Sequence, residues 1–324
     1  MKKIILFFLL ISLVYCPAAL ASDGEEYSQN AQILLSELGL LGKLTAPEAP
    51  TVSRADFLYT LMSALKIDVD APAPQSAFSD LDQGHFVNAA ASAALQMGIA
   101  SPNERFRPDD PILYAEALKL CVGAAGYEVR AIAGGGYPAG HLSVAGSIGL
   151  SRQVSAGLYN TLSGAQCITL LYNTLCADRM RQTGFGENFE FSVTRGETIL
   201  SELYQLYKIN GIVDATPVTG LNLEGKGAGD GRLMVDGILY RYENEDAENL
   251  LGMRVAAFYR KADSEPYDIQ MCIRDRSGRV PIHGFAERVF CDADGNHFHP
   301  VQQIGRRGQR LLVVHNEKLV RIHM

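Results

Sequence analysis

The side chains best suited to binding a metal lie near the end of the chain. They are Cys291, Asp292, Asp294, His297 and His299. His297 and His299 alternate, so they would share one face of a strand, an arrangement found in some zinc sites. The overall spacing matches no established zinc or calcium template, and Asp294-Gly295-Asn296 favours a β-turn followed by a strand. We therefore predict no metal site here.

A second motif that could form a binding site is the glycine-rich run Gly225-x-Gly227-x-Gly229-x-Gly231. A phosphate-binding loop connects a strand to a helix, and its lysine is followed by serine or threonine. Lys226 lacks that context, so the run favours a hairpin connection. The sequence before residue 270 also contains no nucleophile elbow, His-Glu-x-x-His helix or paired-carboxylate signature. We therefore expect a protein that is not an enzyme and needs no cofactor.

The beginning of the chain is organised like a secretory signal. Two lysines precede an apolar run from 4 to 14, and Ala19-Leu20-Ala21 provides a small-residue cleavage site. Cleavage there is favoured over lipidation at Cys16, because the bulky Tyr15 stands where lipoproteins carry a small residue. No later segment approaches the roughly 20 apolar residues that a membrane helix needs. We expect a secreted protein without a membrane span.

The amino-acid composition narrows the class of protein further. The formal charge of −7 argues against general nucleic-acid binding, which needs a basic face. A hydrophobic content of 47% is sufficient for packed cores. Cys121, Cys167 and Cys176 lie in apolar helical stretches, which predicts buried free thiols and not a disulfide scaffold.

A pattern recurs three times between about residue 30 and residue 176. Each copy has a helical stretch ending in a glycine-aliphatic pair, then a loop, then a second helix that opens on an alanine. The pairs are Gly39-Leu40, Gly98-Ile99 and Gly149-Leu150, and the alanines Ala55, Ala115 and Ala165 follow 16, 17 and 16 residues later. A unit used three times, unable to bury its apolar face alone, favours a binding module over a catalytic centre.

The second helix of each copy carries a one-sided apolar stripe. The stripes are Leu58, Leu61, Met62 and Leu65, then Leu118, Cys121, Val122 and Ala125, then Ile168, Leu171, Tyr172 and Leu175. Ser53 is predicted to cap the first of these helices. The small alanines at the same entry position predict that the three helices pack closely around a shared axis.

The middle copy is the most complete. It contains Ala77-Phe78-Ser79-Asp80, His85-Phe86-Val87-Asn88-Ala89-Ala90, Met97-Gly98-Ile99-Ala100 and Phe106-Arg107-Pro108-Asp109-Asp110. In this order the motifs resemble the S-layer homology domain, whose unit has a Phe-x-Asp opening, an aromatic-small helix, a Gly-Ile turn, a Phe-x-Pro loop and a Thr-Arg-Ala-Glu helix start. The resemblance covers roughly residues 27 to 178, as three tandem units.

This resemblance implies a pseudo-threefold helical bundle that attaches exported proteins to acidic secondary polysaccharides of a Gram-positive-type cell wall. The family's helix-start arginine contacts acidic groups of the glycan, and its counterpart here is Arg54. A guanidinium suits a carboxylate, and the free N–H groups of a first helical turn also favour an anion. The other two copies have Tyr114 and Gly164 in place of this arginine.

Asp80 and Phe86 are the other candidate glycan-binding residues. Each also has a simpler structural interpretation, because an aspartate often caps a turn and a phenylalanine often fills a core. The sequence leaves both interpretations open.

The predicted fold class is α+β, with an N-terminal all-α bundle of three S-layer-homology-like units followed by a small β module. The predicted boundaries are 1–21 for the signal peptide, 22–70, 71–130 and 131–180 for the three units, 181–209 for a linker and connecting helix, 210–269 for the β module and 270–324 for a tail.

Local signals support the later boundaries. Thr194 and Glu197 match a capping box before an apolar run, which predicts the connecting helix. Asp236-Gly237 predicts a tight hairpin turn inside the β module. The alternation of Met253, Val255, Ala257 and Tyr259 predicts a further strand.

The heptapeptide from 270 to 276, Gln-Met-Cys-Ile-Arg-Asp-Arg, interrupts a strand predicted to begin at Tyr267. It matches the translation of a common sequencing-library transposon adapter. Five of the seven histidines lie beyond residue 276, in keeping with a different origin for that part. We therefore interpret 270–324 as an adapter-derived or chimeric tail.

Three functions remain open on the sequence. The first is non-covalent anchoring at the cell surface through an acidic wall polysaccharide, with surface-layer proteins as further partners. The second is an exported wall-associated enzyme whose catalytic domain is missing beyond the break. The third is a scaffold that has lost glycan binding.

Overall fold

A computed structural model describes residues 22–44, 48–71, 76, 78–103, 105–184, 189–221, 225–242, 245–261 and 266–274, with five short strands between 290 and 322. The chain divides into two compact units, Met1–Gln205 and Leu206–Met324. It combines helices with sheets, which confirms the predicted α+β class. The predicted signal peptide lies outside the described residues.

The described part of the first unit contains eight helices. They are α1 Ser22–Glu37, α2 Arg54–Ala64, α3 Asn88–Gln96, α4 Tyr114–Ala124, α5 Glu128–Ala133, α6 Ala139–Ser147, α7 Gly164–Cys176 and α8 Ile199–Leu203. The helices α1, α3 and α6 end at the predicted glycine-aliphatic pairs. Gly39, Gly98 and Gly149 have φ angles of 70°, 69° and 80°, a left-handed conformation that glycine adopts without strain. The repeat therefore preserves one helix-ending turn in three places.

The three copies are joined by a ring of backbone hydrogen bonds. Val52 donates its N–H to the carbonyl of Leu162 (3.2 Å), Leu162 donates to Ile112 (3.2 Å), and Ile112 donates to Val52 (2.9 Å). Each residue lies two positions before the start of α2, α4 or α7. All three side chains are buried. The starts of these three helices therefore lie close together.

The predicted apolar stripes of α2, α4 and α7 are buried throughout. Ser53 caps α2 as predicted, because its hydroxyl accepts the N–H of Asp56 at 3.0 Å. Cys121 and Cys167 are buried free thiols, whereas Cys176 is only partly buried. Burial raises the pKa of the Cys121 thiol to about 12, so it is unreactive at neutral pH.

The stretch predicted as a linker contains a β-hairpin, in which β1 Asp178–Gln182 pairs antiparallel with β2 Phe191–Thr198. The capping box predicted from Thr194 and Glu197 is wrong, since both residues lie in β2. The helix α8 begins at Ile199, and the hydroxyl of Thr198 accepts the N–H of Ser201 at 3.0 Å. These two hydroxyl residues provide the same capping chemistry directly beside the apolar run.

The second unit contains a closed five-stranded barrel. Its strands are β3 Tyr207–Ala215, β4 Arg232–Val235, β5 Ile238–Arg241, β6 Arg254–Arg260 and β7 Tyr267–Arg274, in the order β3-β4-β5-β7-β6. Only β5 and β7 are parallel among these pairs. A 3₁₀ helix, Glu245–Leu250, precedes β6. The buried core is formed by Val213, Leu233, Val235, Tyr240, Ala247, Leu250 and Val255.

The predicted hairpin is confirmed, because Asp236 and Gly237 have φ angles of 47° and 80° between β4 and β5. The glycine-rich run lies in the connection from β3 to β4, as expected for a hairpin link. Strand β7 pairs with β6 as far as Arg274, five residues beyond the predicted end of the module at Ile269.

Beyond the barrel, β8 Phe290–Cys291 pairs with β9 His297–Phe298, and β10 Val301–Arg306, β11 Leu311–His315 and β12 Lys318–Ile322 form a second sheet. The turn predicted at Asp294-Gly295-Asn296 lies outside the described residues. None of the helices in the described ranges combines the length and apolar character required to cross a bilayer.

Candidate functional site

An aromatic residue occupies an equivalent position in each of the three copies. Twelve residues before Gly39, Gly98 and Gly149 stand Tyr27, Phe86 and Tyr137. Each ring is approached by a basic group of the preceding copy in cyclic order. The Arg152 guanidinium carbon lies 5.4 Å from the Tyr27 centroid, Lys43 Nζ lies 4.2 Å from that of Phe86, and Lys119 Nζ lies 5.9 Å from that of Tyr137. These distances permit cation–π attraction. The copies therefore meet in three related seams, which we name the Tyr27, Phe86 and Tyr137 seams.

The Tyr27 seam is closed by its own contacts. The Tyr27 hydroxyl donates to Asn173 Oδ1 at 2.7 Å, and its ring meets Tyr172 edge-on at 5.4 Å. Burial raises the pKa of Tyr27 to about 12, with Cys176 adding to the rise and Arg152 opposing it. A ring fixed in this way stabilises the contact between copies, and it is less exposed than Phe86 or Tyr137.

The Phe86 seam presents an aromatic group to solvent. Phe86 is 39% exposed, so its interpretation as a core residue is wrong. Its ring stacks on His85 at 4.8 Å and meets Tyr59 at 5.7 Å. Lys43 lies over both Phe86 and Tyr59, and the Tyr59 hydroxyl donates to Asp70 Oδ1 at 2.9 Å. The result is an exposed Phe86 ring packed against a partly buried Tyr59, beside a cation.

Arg54, the main candidate from the sequence, is held tightly at the start of α2. Its Nη1 lies 2.6 Å from Glu116 Oε2, and its Nε donates to the carbonyl of Phe106 at 2.9 Å. The guanidinium carbon also lies 5.4 Å from the centre of the Phe106 ring. Only 17% of the side chain is exposed. Arg54 therefore joins the first copy to the second.

Glu116, on α4, is shared between two arginines. Its Oε2 pairs with Arg54 and accepts the N–H of Leu113 at 3.1 Å, while its Oε1 pairs with Arg107 Nη2 at 2.7 Å. Arg107 is 46% exposed, and its Nη1 lies 3.7 Å from Asp110 Oδ2. One carboxylate thus fixes a largely buried guanidinium on one side and an exposed guanidinium on the other.

Asp80 organises the loop that carries Arg107. Its carboxylate accepts the N–H groups of Phe106 at 2.7 Å and Arg107 at 2.8 Å, and Arg105 Nε lies 3.5 Å away. Partial burial favours the protonated form of Asp80, but these hydrogen bonds and the Arg105 charge outweigh it. The pKa of Asp80 therefore lies below its ordinary value. The contacts described for Asp80 are those of a loop cap.

The Tyr137 seam lies beside this arginine cluster. Tyr137 is 48% exposed and follows the run Gly134-Gly135-Gly136. Lys119 is bonded to Ser101 Oγ and lies one helical turn after Glu116 on α4. Burial raises the pKa of Tyr137, Glu116 and Tyr159 add to the rise, and Arg54 and Arg107 oppose it. The charges of both arginines therefore act on the Tyr137 hydroxyl.

The structure divides the three predicted site residues between two places. Arg54 and Asp80 both bond to the main chain of the Phe106–Arg107 loop, while Phe86 contacts Lys43, Tyr59 and His85 in its own seam. Sequence reasoning missed Tyr137, Lys119 and Arg107. Each aromatic residue stands the same number of positions before the following glycine, and this regular spacing in the sequence would have identified Tyr137.

Within the described residues, no group of three His, Cys, Asp or Glu side chains is arranged to hold a metal ion. Of the possible ligands considered near the end of the chain, Asp292, Asp294 and His299 lie outside the described residues. Cys291 and His297 are paired across β8 and β9.

Comparison with known proteins gives one informative similarity. No protein-family model matches the chain. The Middle cell wall protein of Brevibacillus brevis is 27% identical to it over 158 residues, which is 47% of this chain and 14% of that protein. The chain therefore resembles part of a much longer cell wall protein.

Proposed function

We propose that this chain attaches an exported protein non-covalently to an acidic cell-wall polysaccharide through three units like those of the S-layer homology domain. The carrying observation is the repeated seam, in which an aromatic ring of one copy lies against a cation of the preceding copy. An aromatic face suits the apolar side of a sugar ring, and a neighbouring cation suits its acidic group. The similarity to part of a cell wall protein supports the same surface location.

The two open seams are the proposed binding grooves. Phe86 and Tyr137 are exposed and accompanied by Lys43 and Lys119, whereas Tyr27 is engaged by Asn173 and Tyr172. The degenerate repeat therefore keeps two binding surfaces and uses the third to hold the copies together.

A scaffold without glycan binding is the second candidate, and the pairing of Arg54 with groups of the protein favours it. The family's arginine is here paired with Glu116 and the Phe106 carbonyl, as expected for a structural role.

Sedimentation with purified cell walls separates the two functions. Wild type is expected to bind, and the double variant Phe86→Ala/Tyr137→Ala is expected to lose most of that binding. Ile132→Ala removes another exposed apolar residue, from α5, and is the matched control that should bind normally. Absence of wild-type binding would remove the anchoring function in favour of the scaffold.

A further inference from the structure

The protein engages two of the three nitrogens of Arg54, and only 17% of its side chain is exposed. Nε bonds to the Phe106 carbonyl, Nη1 bonds to Glu116, and one face of the guanidinium lies against the Phe106 ring. A ligand carboxylate that approached Nη1 would compete with Glu116 for this guanidinium. Breaking a largely buried ion pair is costly, because it leaves the partner charge desolvated and uncompensated.

Arg107 has the opposite properties. Its side chain is 46% exposed, and among the described residues its short contact is between Nη2 and Glu116. Its backbone adopts φ 58°, which is unfavourable for a non-glycine residue. The Asp80 carboxylate accepts its N–H, and so helps to hold the loop in this conformation. The fold therefore keeps an exposed guanidinium in a fixed position at a conformational cost.

Lys119 provides a second cation on the same side. Glu116 and Lys119 are three residues apart on α4 and so share a helix face. Glu116 contacts Arg107, and Lys119 lies over Tyr137. These contacts bring Arg107 and Lys119 to neighbouring positions around Glu116, with the exposed Tyr137 ring beside Lys119.

We propose that Arg107 and Lys119 hold the acidic group of a sugar whose ring packs on Tyr137, and that Arg54 is a positioning residue that fixes Glu116. This assignment rests on the proposed anchoring function. It moves the charge recognition of this groove from the helix start to the Phe-x-Pro loop.

Asp110 competes with the ligand for Arg107. Its carboxylate lies 3.7 Å from Arg107 Nη1, and it is itself 57% exposed. Exposed pairs of this kind contribute little to stability, so a ligand carboxylate can replace Asp110 on Arg107. In the absence of the glycan, the Asp110 carboxylate therefore occupies the position expected for the glycan's acidic group.

The test is calorimetric titration of the full chain with purified wall polysaccharide, before and after conversion of the polymer's carboxylates to amides. Wild type is expected to bind the native polymer at least tenfold more tightly than the amidated one. Arg107→Gln should lose most of this discrimination while its melting temperature stays within about 2 °C of wild type. Lys119→Gln should lose part of the discrimination. Asp110→Asn should bind the native polymer as tightly as wild type or more tightly.

Two further variants separate contact from positioning. Arg105→Gln removes a neighbouring arginine that is 70% exposed, and its binding should remain unchanged. Arg54→Gln should lower the melting temperature and weaken binding to both polymers, yet keep a preference for the native one. If Arg54→Gln loses the preference and Arg107→Gln keeps it, the assignment is overturned and anchoring stands. If wild type binds neither polymer, anchoring itself fails and the assignment fails with it.

Discussion

Arg54 Nη1 lies 2.6 Å from Glu116 Oε2, and this pair connects the first turn of α2 to the first turn of α4. Glu116 also accepts the Leu113 N–H and pairs with Arg107. One carboxylate therefore satisfies a helix start, a buried guanidinium and an exposed one. Such a shared group stabilises a fold more than its separate contacts suggest, because its removal leaves several partners unsatisfied.

Glu116→Gln is expected to destabilise the first unit by about 2 kcal/mol, since it leaves the largely buried Arg54 charge without a counter-ion. Urea unfolding monitored by far-ultraviolet circular dichroism measures this loss. Asp109→Asn removes an exposed carboxylate of the Phe-x-Pro loop, which precedes α4, and serves as the control. Equal stabilities of the two variants would show that Glu116 has no such shared role.

Asp80 gives the fold a defined acid sensitivity. Its pKa is lower in the folded chain than its ordinary value of 3.8, so its stabilising contribution is complete above pH 3.8 and is lost as pH falls through the folded pKa. The part of the wild-type free energy of unfolding that Asp80 contributes should therefore decline as pH falls below 3.8. Asp80→Asn should be less stable at pH 5 and show a shallower decline. Parallel pH profiles of the two proteins would contradict this role.

The hydrogen-bonded ring predicts that the three copies unfold together. Ile112 is fully buried at the hub, so Ile112→Ala should cost about 3 kcal/mol through lost burial and a residual cavity. Hydrogen exchange should then accelerate in α2, α4 and α7 alike. Val218→Ala, at an exposed position of the second unit, is the control. Acceleration confined to α4 would show that the copies are independent.

The sequence revealed the repeat because each copy is defined by local chemistry. A glycine at positive φ ends a helix, and an apolar stripe follows at helical spacing, so Gly98 and Leu118 could be interpreted without knowledge of their neighbours. The turn at Asp236-Gly237 was predictable for the same reason. These features depend on residues that are close in sequence.

The site was predicted less well because it depends on contacts between copies. Whether Arg54 faces a ligand or a protein carboxylate is decided by Glu116, 62 positions away along the chain. The exposure of Phe86 depends on the placement of Lys43 and Tyr59 in the preceding copy. The prediction of the α8 cap failed for a local reason. Thr194 and Thr198 both offer a hydroxyl before the apolar run, and Thr198 is nearer to the helix.

The seams are expected to separate stability from binding. Tyr27→Phe removes the hydrogen bond to Asn173 and should cost about 1 kcal/mol of stability, while cell-wall binding stays unchanged because that seam is closed. Phe86→Ala should weaken wall binding severalfold with a smaller effect on stability, because the ring is exposed. Chemical denaturation and wall sedimentation of both variants give the two readouts. Loss of binding by Tyr27→Phe at normal stability would place a ligand in the Tyr27 seam.

The adapter interpretation of residues 270 to 276 leads to a prediction about the gene itself. Strand β7 pairs with β6 from Asp268 to Arg274, so we expect the natural continuation to complete the same strand of the barrel. We expect genomic DNA, amplified and read without a transposon library, to diverge from the present sequence after Ile269. The true codons should encode a strand with apolar residues at alternate positions, because the interior face of the barrel requires period-two burial. An unchanged reading through Arg276 would establish the heptapeptide as part of the protein and β7 as its natural strand.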